Sequence, residues 1–352
     1  MKFIHLADVH LGAVPDRGTA WSSSREEEIW MTFRRIIAGI RENPVDLLFI
    51  SGDLFHRRPL RKELREVNSL FASIPETNIY IIAGNHDCLD AGSAYRTFEW
   101  AENVIFFDSE EIMCIDDDRM PVTVYGFSLC RNEIKEPLLR DACPEEGDGY
   151  HILLAHGGDE KHVPIDFSAL ASAGFDYVAL GHIHKPQTIV KDKIIYPGSP
   201  EPLDRNETGP HGYVQGYTDD DGIIHTKFVP AAARIYEDIT LVLDEETTQN
   251  DLEEELSDTI AERGLQNIYR VVLTGQRSPD LMLLPEKLKN CGNIVEIRDE
   301  SRLMYDLDML EKKYAGTLVG DYIRYFTLKD TTEVEEKALD YGLQALLETS
   351  MR

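Results

Sequence analysis

The stretch Ile79-Tyr80-Ile81-Ile82-Ala83-Gly84-Asn85-His86-Asp87 is a short apolar run stopped by glycine and followed by an amide, an imidazole and a carboxylate. A run of this length ending at Gly reads as a core strand that delivers polar side chains to a sheet edge. Four other runs end the same way. They are Phe3 to Ala7 before Asp8-Val9-His10, Leu47 to Ser51 before Gly52-Asp53, Ile152 to Ala155 before His156-Gly157, and Tyr177 to Leu180 before Gly181-His182-Ile183-His184. Five strand ends carrying Asp, Asn and His point to one shared metal site.

Composition narrows the classes. A chain of 352 residues can bury a large core, and its size favours two domains. No run approaches the roughly 18 apolar residues needed to span a bilayer. Met1 to Asp8 turns polar too soon for a secretory leader, so a cytoplasmic protein is expected. The five cysteines (Cys88, Cys114, Cys130, Cys143, Cys291) are odd in number and lack CxxC spacing, which argues against a disulfide framework and a zinc-thiolate site. The net charge of -28 repels nucleic acid overall. A phosphate-rich substrate therefore needs local cations. Bound divalent metals would supply them in the site, and His56-Arg57-Arg58-Pro59-Leu60-Arg61-Lys62 forms a basic cluster directly after Asp53. That cluster reads either as a solvated helix start or as a phosphate contact.

Between the polar strand ends, helices alternate with strands. Ser22-Ser23-Ser24, with Glu26 and Glu27 three residues beyond the second and third serines, reads as a capping box. Ile29, Phe33, Ile36, Ile37 and Ile40 then recur at helical spacing, and Leu64, Val67, Leu70 and Phe71 mark a second helix after Leu47 to Ser51. This is the pattern of α/β units. From Val104 onward the texture is β-rich, with a hairpin signal at Asp219-Asp220-Asp221-Gly222. The expected fold class is α/β, a two-sheet β-sandwich flanked by helices, with a small C-terminal α/β capping domain. Expected boundaries are 1–230 for the main domain, 231–300 for the small domain after the linker Pro230 to Ala233, and 301–352 for a helical tail. The apolar stripe Leu339, Leu343, Leu346 and Leu347 in that tail either docks on its own domain or fits a partner's groove. The eleven acids between Glu237 and Glu262, with no Lys or Arg among them, read as a solvated face.

A single Asp or His at a strand end usually caps a helix or satisfies a core hydrogen bond. Here Asp8-x-His10, Gly52-Asp53-x-x-His56, Gly84-Asn85-His86-Asp87, His156-Gly157 and Gly181-His182-x-His184 occur together, in order, each after an apolar run. Carboxylate, amide and imidazole without thiolate suit Mn, Fe or Zn. A carboxylate such as Asp53 can serve two ions about 4 Å apart.

This constellation resembles the calcineurin-like metallophosphoesterases. Within them His56 after Gly52-Asp53-Leu54-Phe55, the loop Pro197-Gly198-Ser199-Pro200 and the appended C-terminal domain resemble the SbcD-type DNA double-strand-break repair nucleases. The resemblance covers about residues 1–230, and 231–300 more loosely. It implies two divalent ions, Mn2+ before Fe or Zn, one held by Asp8, His10, Asp53 and His184 and the other by Asp53, Asn85, His156 and His182. It implies that His86 stands at the reacting phosphate and His56 orients it, while Asp87 fixes the loop by a structural bond. DNA contacts are expected from Arg57, Arg58, Arg61, Lys62 and Arg205. The implied activity is DNA-end hydrolysis, as a 3′ to 5′ exonuclease or an endonuclease. The implied partners are DNA, a second copy joined through helices near Leu64 to Phe71 and Ala94 to Trp100, and a coiled-coil ABC-type ATPase. Two other readings stand beside it: a phosphodiesterase or phosphatase for small phosphoesters, which the acidic charge favours, and a scaffold that kept the fold and lost the chemistry.

Overall fold

In a computed structural model, which describes residues 1–327 and 332–350, apolar alternation divides three strands between two cores. On β1 (Lys2–Leu6) Phe3 faces one way and Ile4 and Leu6 the other. After α1 (Ser22–Glu42), β2 (Leu47–Ser51) splits Leu47 and Phe49 from Leu48 and Ile50. After α2 (Arg61–Ala72), β3 (Asn78–Ile82) splits Tyr80 and Ile82 from Ile79 and Ile81. Side chains of a strand alternate across its sheet, so continuous apolar runs like these demand cover on both faces.

The remaining strands of the first unit are β4 (Val104–Phe106), β5 (Met113–Asp116), β6 (Val122–Gly126) and β7 (Tyr150–His156), then, after α3 (Phe167–Ser172), β8 (Tyr177–Gly181), β9 (Gln187–Val190), β10 (Ile194–Tyr196), β11 (Gly212–Thr218) and β12 (Ile224–Pro230). They form two six-stranded sheets, ordered β12-β11-β1-β2-β3-β4 and β5-β6-β7-β8-β10-β9. Phe3, Phe49 and Tyr80 of the first sheet pack between the layers against Val124, Ile152, Leu154 and Tyr177 of the second, with the rings of Phe3 and Tyr177 4.8 Å apart. Each large apolar side chain buried there contributes about 1.5–3 kcal/mol. Ile29, Phe33, Ile37, Leu64, Val67 and Phe71 carry α1 and α2 onto the outer face of the first sheet, and Leu170 carries α3 onto the second. The architecture is the expected two-sheet sandwich with helices outside.

The start of α1 departs from expectation. Trp21 already has helical dihedrals, so Ser22 to Ser24 lie inside the first turn and no side chain caps the helix. Ser22 Oγ donates to the Pro15 carbonyl, and the single Ser24 hydroxyl proton has Trp21 O and Glu28 Oε1 as alternative acceptors. The capping pattern is overridden by tertiary bonds, with Trp21 Nε1 donating to Asp16 and Arg25 buried one turn on.

The chain divides into two compact units, Met1–Tyr236 and Glu237–Arg352. Pro230 closes β12, and the Ala231 and Ala232 amides donate to His211 O, so this stretch is bound into the first unit. The second unit builds β13 (Tyr236–Leu243), α4 (Gln249–Arg263), β14 (Ile268–Arg277), α5 (Pro285–Leu288), β15 (Ile294–Asp299) and β16 (Arg302–Leu303) around Leu241, Leu252, Leu256, Ile260 and Val271. On α4 those leucines are buried while Glu254, Glu255, Asp258 and Glu262 are exposed, which makes the acidic run a solvated face. The tail, whose residues 328–331 and 351–352 lie outside the described residues, holds α6 (Leu307–Lys313), α7 (Leu318–Thr327) and α8 (Glu333–Ser350). There Leu343 is buried with Leu310, Val319 and Ile323, and Leu346 and Leu347 pack against them.

Candidate metal centre

Strands β1, β2 and β3 run parallel, as do β7 and β8 in the other sheet. Parallel strands present their carboxyl ends at a common edge, where open α/β sheets bind ligands. The loops after β1 and β2 stay paired past the strands: Asp8 N donates to Gly52 O, and His10 N and Leu11 N donate to Asp53 O and Leu54 O. Asp8 (φ 53°), His10 (φ 51°), Asp53 (φ 51°) and His182 (φ 101°) all sit in the left-handed region. Such dihedrals cost of order 1–3 kcal/mol each and persist where the surroundings over-determine them.

The side chains of Asp8, His10, Asp53, Asn85, His156, His182 and His184 converge. Asp53 Oδ2 lies 3.7 Å from His10 Nε2 and 3.4 Å from His156 Nε2. His10 Nε2 is 3.0 Å from His184 Nε2. Asn85 Oδ1 is 2.9 Å from His156 Nε2 and 3.2 Å from His182 Nδ1, while its amide nitrogen donates to Asn132 Oδ1. Both oxygens of Asp8 accept from the His182 amide at 3.0 Å, and the His86 amide donates to Asp53 Oδ1 at 2.8 Å. Asp8, His10, Asp53 and His156 are essentially closed to solvent. Gly84 is required by the crowding: a Cβ there would stand 2.2 Å from Asp53 Oδ1.

The electrostatics favour positive charge. Burial pushes the Asp8 carboxyl up to about 6. At Asp53 burial acts the same way but is outweighed by the charges of His156 and His10, so this carboxyl is held well below the usual range. Burial works against a charged His156, yet the fields of Asp53 and Asp8 raise it to about 9, whereas burial drives His10 well below its ordinary value. His156 Nδ1 faces the Ser51 carbonyl at 2.9 Å, which leaves Nε2 turned toward Asn85 Oδ1 and Asp53 Oδ2. Acceptors converging on one point, with carboxylate, amide and imidazole mixed, suit a divalent cation with mixed O and N preference. Among the described residues, Asp8, His10 and His184, and likewise Asp8, Asp53 and His156, bring one ligand atom each within 4.8 Å of the others.

His86 and His56 border this cluster. Their rings stack at 5.0 Å, His86 Nδ1 donates to the His56 carbonyl at 3.2 Å, and the His86 ring meets that of His10 edge-on at 4.8 Å. Asp87 points into the protein, where it accepts from Gly84 N, Phe55 N and Tyr95 OH. The exposed basic cluster leads away from His56: Arg57 pairs with Glu63, Arg58 with Asp90, Arg61 Nη2 donates to Thr97, and Lys62 lies on the exposed face of α2. Arg57 meets Glu63 through both guanidinium nitrogens, and Glu63 also accepts from the Leu60 amide, so this arginine is held in place with its outer side open to solvent. Arg205 is exposed on the loop after Pro197-Gly198-Ser199, whose Ser199 amide donates to His184 O.

Residues 1–186 match the family described as calcineurin-like phosphoesterase. The chain belongs to that family. As a calcineurin-like phosphoesterase it is a metal-dependent hydrolase of phosphoesters. It is similar to the uncharacterized metallophosphoesterase YhaO of Bacillus subtilis, with 30% identity over 310 residues, 81% of this chain and 74% of that protein. It is also similar to the DNA double-strand break repair protein Mre11 of Methanocaldococcus jannaschii, 30% identical over 59% of this chain and 58% of that protein. Against the Mre11 of Archaeoglobus fulgidus the identity is 26%, over 92% of this chain and 79% of the relative. Among the described residues of this phosphoesterase, no helix is long and apolar enough to cross a membrane.

Sequence reasoning missed the outer partners of the cluster. His184 Nδ1 donates to Glu207 Oε1 at 2.7 Å, and His182 Nε2 donates to Asp159 Oδ2 at 2.8 Å. Asp159 also accepts from His162 Nδ1 at 3.0 Å. The spacing His156-x-x-Asp159-x-x-His162 was visible, but neither residue ends an apolar run, and Glu207 carries no local signal at all.

Proposed function

We propose that this phosphoesterase is a two-metal DNA nuclease that hydrolyses phosphodiesters at DNA ends. The observation that carries the reading is Asp53 Oδ2 lying between two donor groups, 3.7 Å from His10 Nε2 and 3.4 Å from His156 Nε2. Asp8, His10, Asp53 and His184 would hold one ion, and Asp53, Asn85, His156 and His182 the other. Manganese fits this donor set. When bound, the two ions supply a water acidified at neutral pH and positive charge for the phosphate oxygens.

The protein's own groups do the rest. The His86 amide is anchored on Asp53, and its ring is fixed by the His56 carbonyl and by stacking on the His56 ring. With Nδ1 committed to that carbonyl, Nε2 is the atom able to carry a proton to the leaving oxygen. Arg57, Arg58, Arg61, Lys62 and Arg205 offer the local positive charge that a chain of net charge -28 needs to hold DNA. The similarity to proteins named Mre11 supports DNA as the substrate. A homodimer and a coiled-coil ABC-type ATPase partner belong to the same reading, as does a cytoplasmic location.

A second reading, hydrolysis of small phosphoesters, draws on the Glu63 and Asp90 carboxylates that already pair Arg57 and Arg58. Wild type and His86→Ala are compared with Mn2+ on linear duplex DNA and on a small aryl phosphodiester. The nuclease reading expects wild type to cut DNA and the variant to lose about 10²–10⁴-fold in rate. Equal cutting by the two proteins sinks the role of His86. Turnover of the small ester with intact DNA selects the second reading.

A further inference from the structure

A neutral imidazole has one N–H and one lone pair, so whatever accepts the N–H decides which nitrogen is left to bind a cation. For His156 the acceptor is the Ser51 carbonyl, which is neutral. For His184 and His182 it is a carboxylate, and the two carboxylates take opposite nitrogens. Glu207 accepts from Nδ1 of His184, leaving Nε2 toward His10. Asp159 accepts from Nε2 of His182, leaving Nδ1 toward Asn85.

Both carboxylates are themselves held. Glu207 accepts from the Leu203 amide through its second oxygen at 2.7 Å. The loop carrying it is pinned where Arg25, buried, donates to Pro202 O and Thr32 donates to Glu201. Asp159 accepts from the amides of Lys161 and His162 as well as from the His162 ring.

We propose that Glu207 and Asp159 are positioning residues of the metal centre, one for each ion: Glu207 acts through His184 on the Asp8, His10, Asp53 group, and Asp159 acts through His182 on the Asp53, Asn85, His156 group. The inference rests on the two-metal reading above. Each carboxylate selects the ring nitrogen turned inward, fixes the ring plane and strengthens the nitrogen as a donor. They are not equal. The Glu207 side chain is 15% exposed and that of Asp159 45%, so water competes with Asp159 and screens its charge. Loss of Glu207 therefore weakens its ion more than loss of Asp159 weakens the other.

Asp159, His162 and His182 also bring ligand atoms within 4.8 Å of one another, which is the geometry of a third cation site. That use of His182 would compete with its inward Nδ1, since a neutral ring has a single lone pair. The two arrangements predict different ion counts.

The test titrates Mn2+ alone into the full-length chain after chelation and desalting, with free Mn2+ followed by electron paramagnetic resonance. Wild type is expected to bind two ions. Glu207→Gln and Asp159→Asn each lower the affinity for one ion about 10- to 100-fold, the larger drop belonging to Glu207→Gln, with the other ion bound within about twofold of wild type. Asp159→Glu restores part of the lost affinity. Denaturation midpoints in EDTA match wild type, which separates positioning from a structural role. If wild type binds two ions and both variants hold both ions as tightly, the positioning proposal falls while the two-metal reading stands. If wild type binds three ions and His162→Ala loses the third, Asp159 is a ligand and the proposal is overturned. Wild type binding fewer than two ions removes the two-metal reading, and the positioning roles with it.

Discussion

Asp87 gives the sharpest test of how the loop at the end of β3 is held. Its carboxylate is fully buried and takes three donors: Gly84 N at 2.8 Å on Oδ1, and Phe55 N at 3.1 Å and Tyr95 OH at 2.8 Å on Oδ2. Gly84 and Phe55 belong to the loops carrying Asn85 and Asp53, so one carboxylate ties the ends of β3 and β2 together. A buried donor stripped of its partner costs about 1–3 kcal/mol, so Asp87→Ala, which strips three, costs roughly 3–9 kcal/mol. Whole-protein stabilities run about 5–15 kcal/mol, so this variant approaches global unfolding. Asp87→Asn behaves differently. Either amide orientation places Nδ2 against one backbone N–H, while Tyr95 OH can accept or donate, so one donor is lost and the cost is about 1–3 kcal/mol. Urea titration in EDTA, read as a shift in midpoint at constant slope, measures both. Two variants of equal stability, or an Ala variant within 1 kcal/mol of wild type, would falsify the clamp.

Two further expectations concern the core and the crowded glycine. His5 is buried between the sheets with Nδ1 2.9 Å from Tyr177 OH, and burial lowers it from 6.5 to about 3, a Leu180 backbone bond offsetting this only in part. The unfolded chain therefore takes up this proton first as pH falls, so the stability it contributes is full above about 6.5 and is lost progressively down to about 3. Across that window wild type should lose stability faster than His5→Leu by about 1.4 kcal/mol per pH unit, measured by urea midpoints in EDTA, and parallel acid limbs refute it. Gly84→Ala places a methyl 2.2 Å from Asp53 Oδ1 and 2.6 Å from Asp53 N. Asp53 must shift, so the variant should retain less Mn2+ after desalting than wild type, and equal metal content by mass spectrometry would count against the tight packing.

The order of polar strand ends was legible because strand periodicity and strand termination are local. Phe3, Leu47 and Tyr80 sit one residue out of step with Ile4, Leu48 and Ile81, and that alternation already implies cover on both faces. The residue types gathered at that edge were legible for the same reason, since Asp8, Asp53, Asn85, His156, His182 and His184 each follow an apolar run. Capping at Ser22 to Ser24 misread the chain because Asp16 and Pro15 offered their partners from outside the helix. Glu207 and Asp159 each reach across 23 residues to an imidazole, with no periodicity to mark them.

The sequence by itself determined two sheets, their helical cover and the residue types at one edge, because these follow from side-chain hydrophobicity read at a fixed period. Only the tertiary structure decided that His10 and His184, 174 residues apart, stand 3.0 Å from each other, that His182 turns Nδ1 inward while His184 turns Nε2, and that Asp87 faces away from its neighbours as a clamp. The physical reason is that a ring nitrogen or a carboxylate is committed by the partner it meets. That partner is set by sheet order and loop path, which local pattern does not contain.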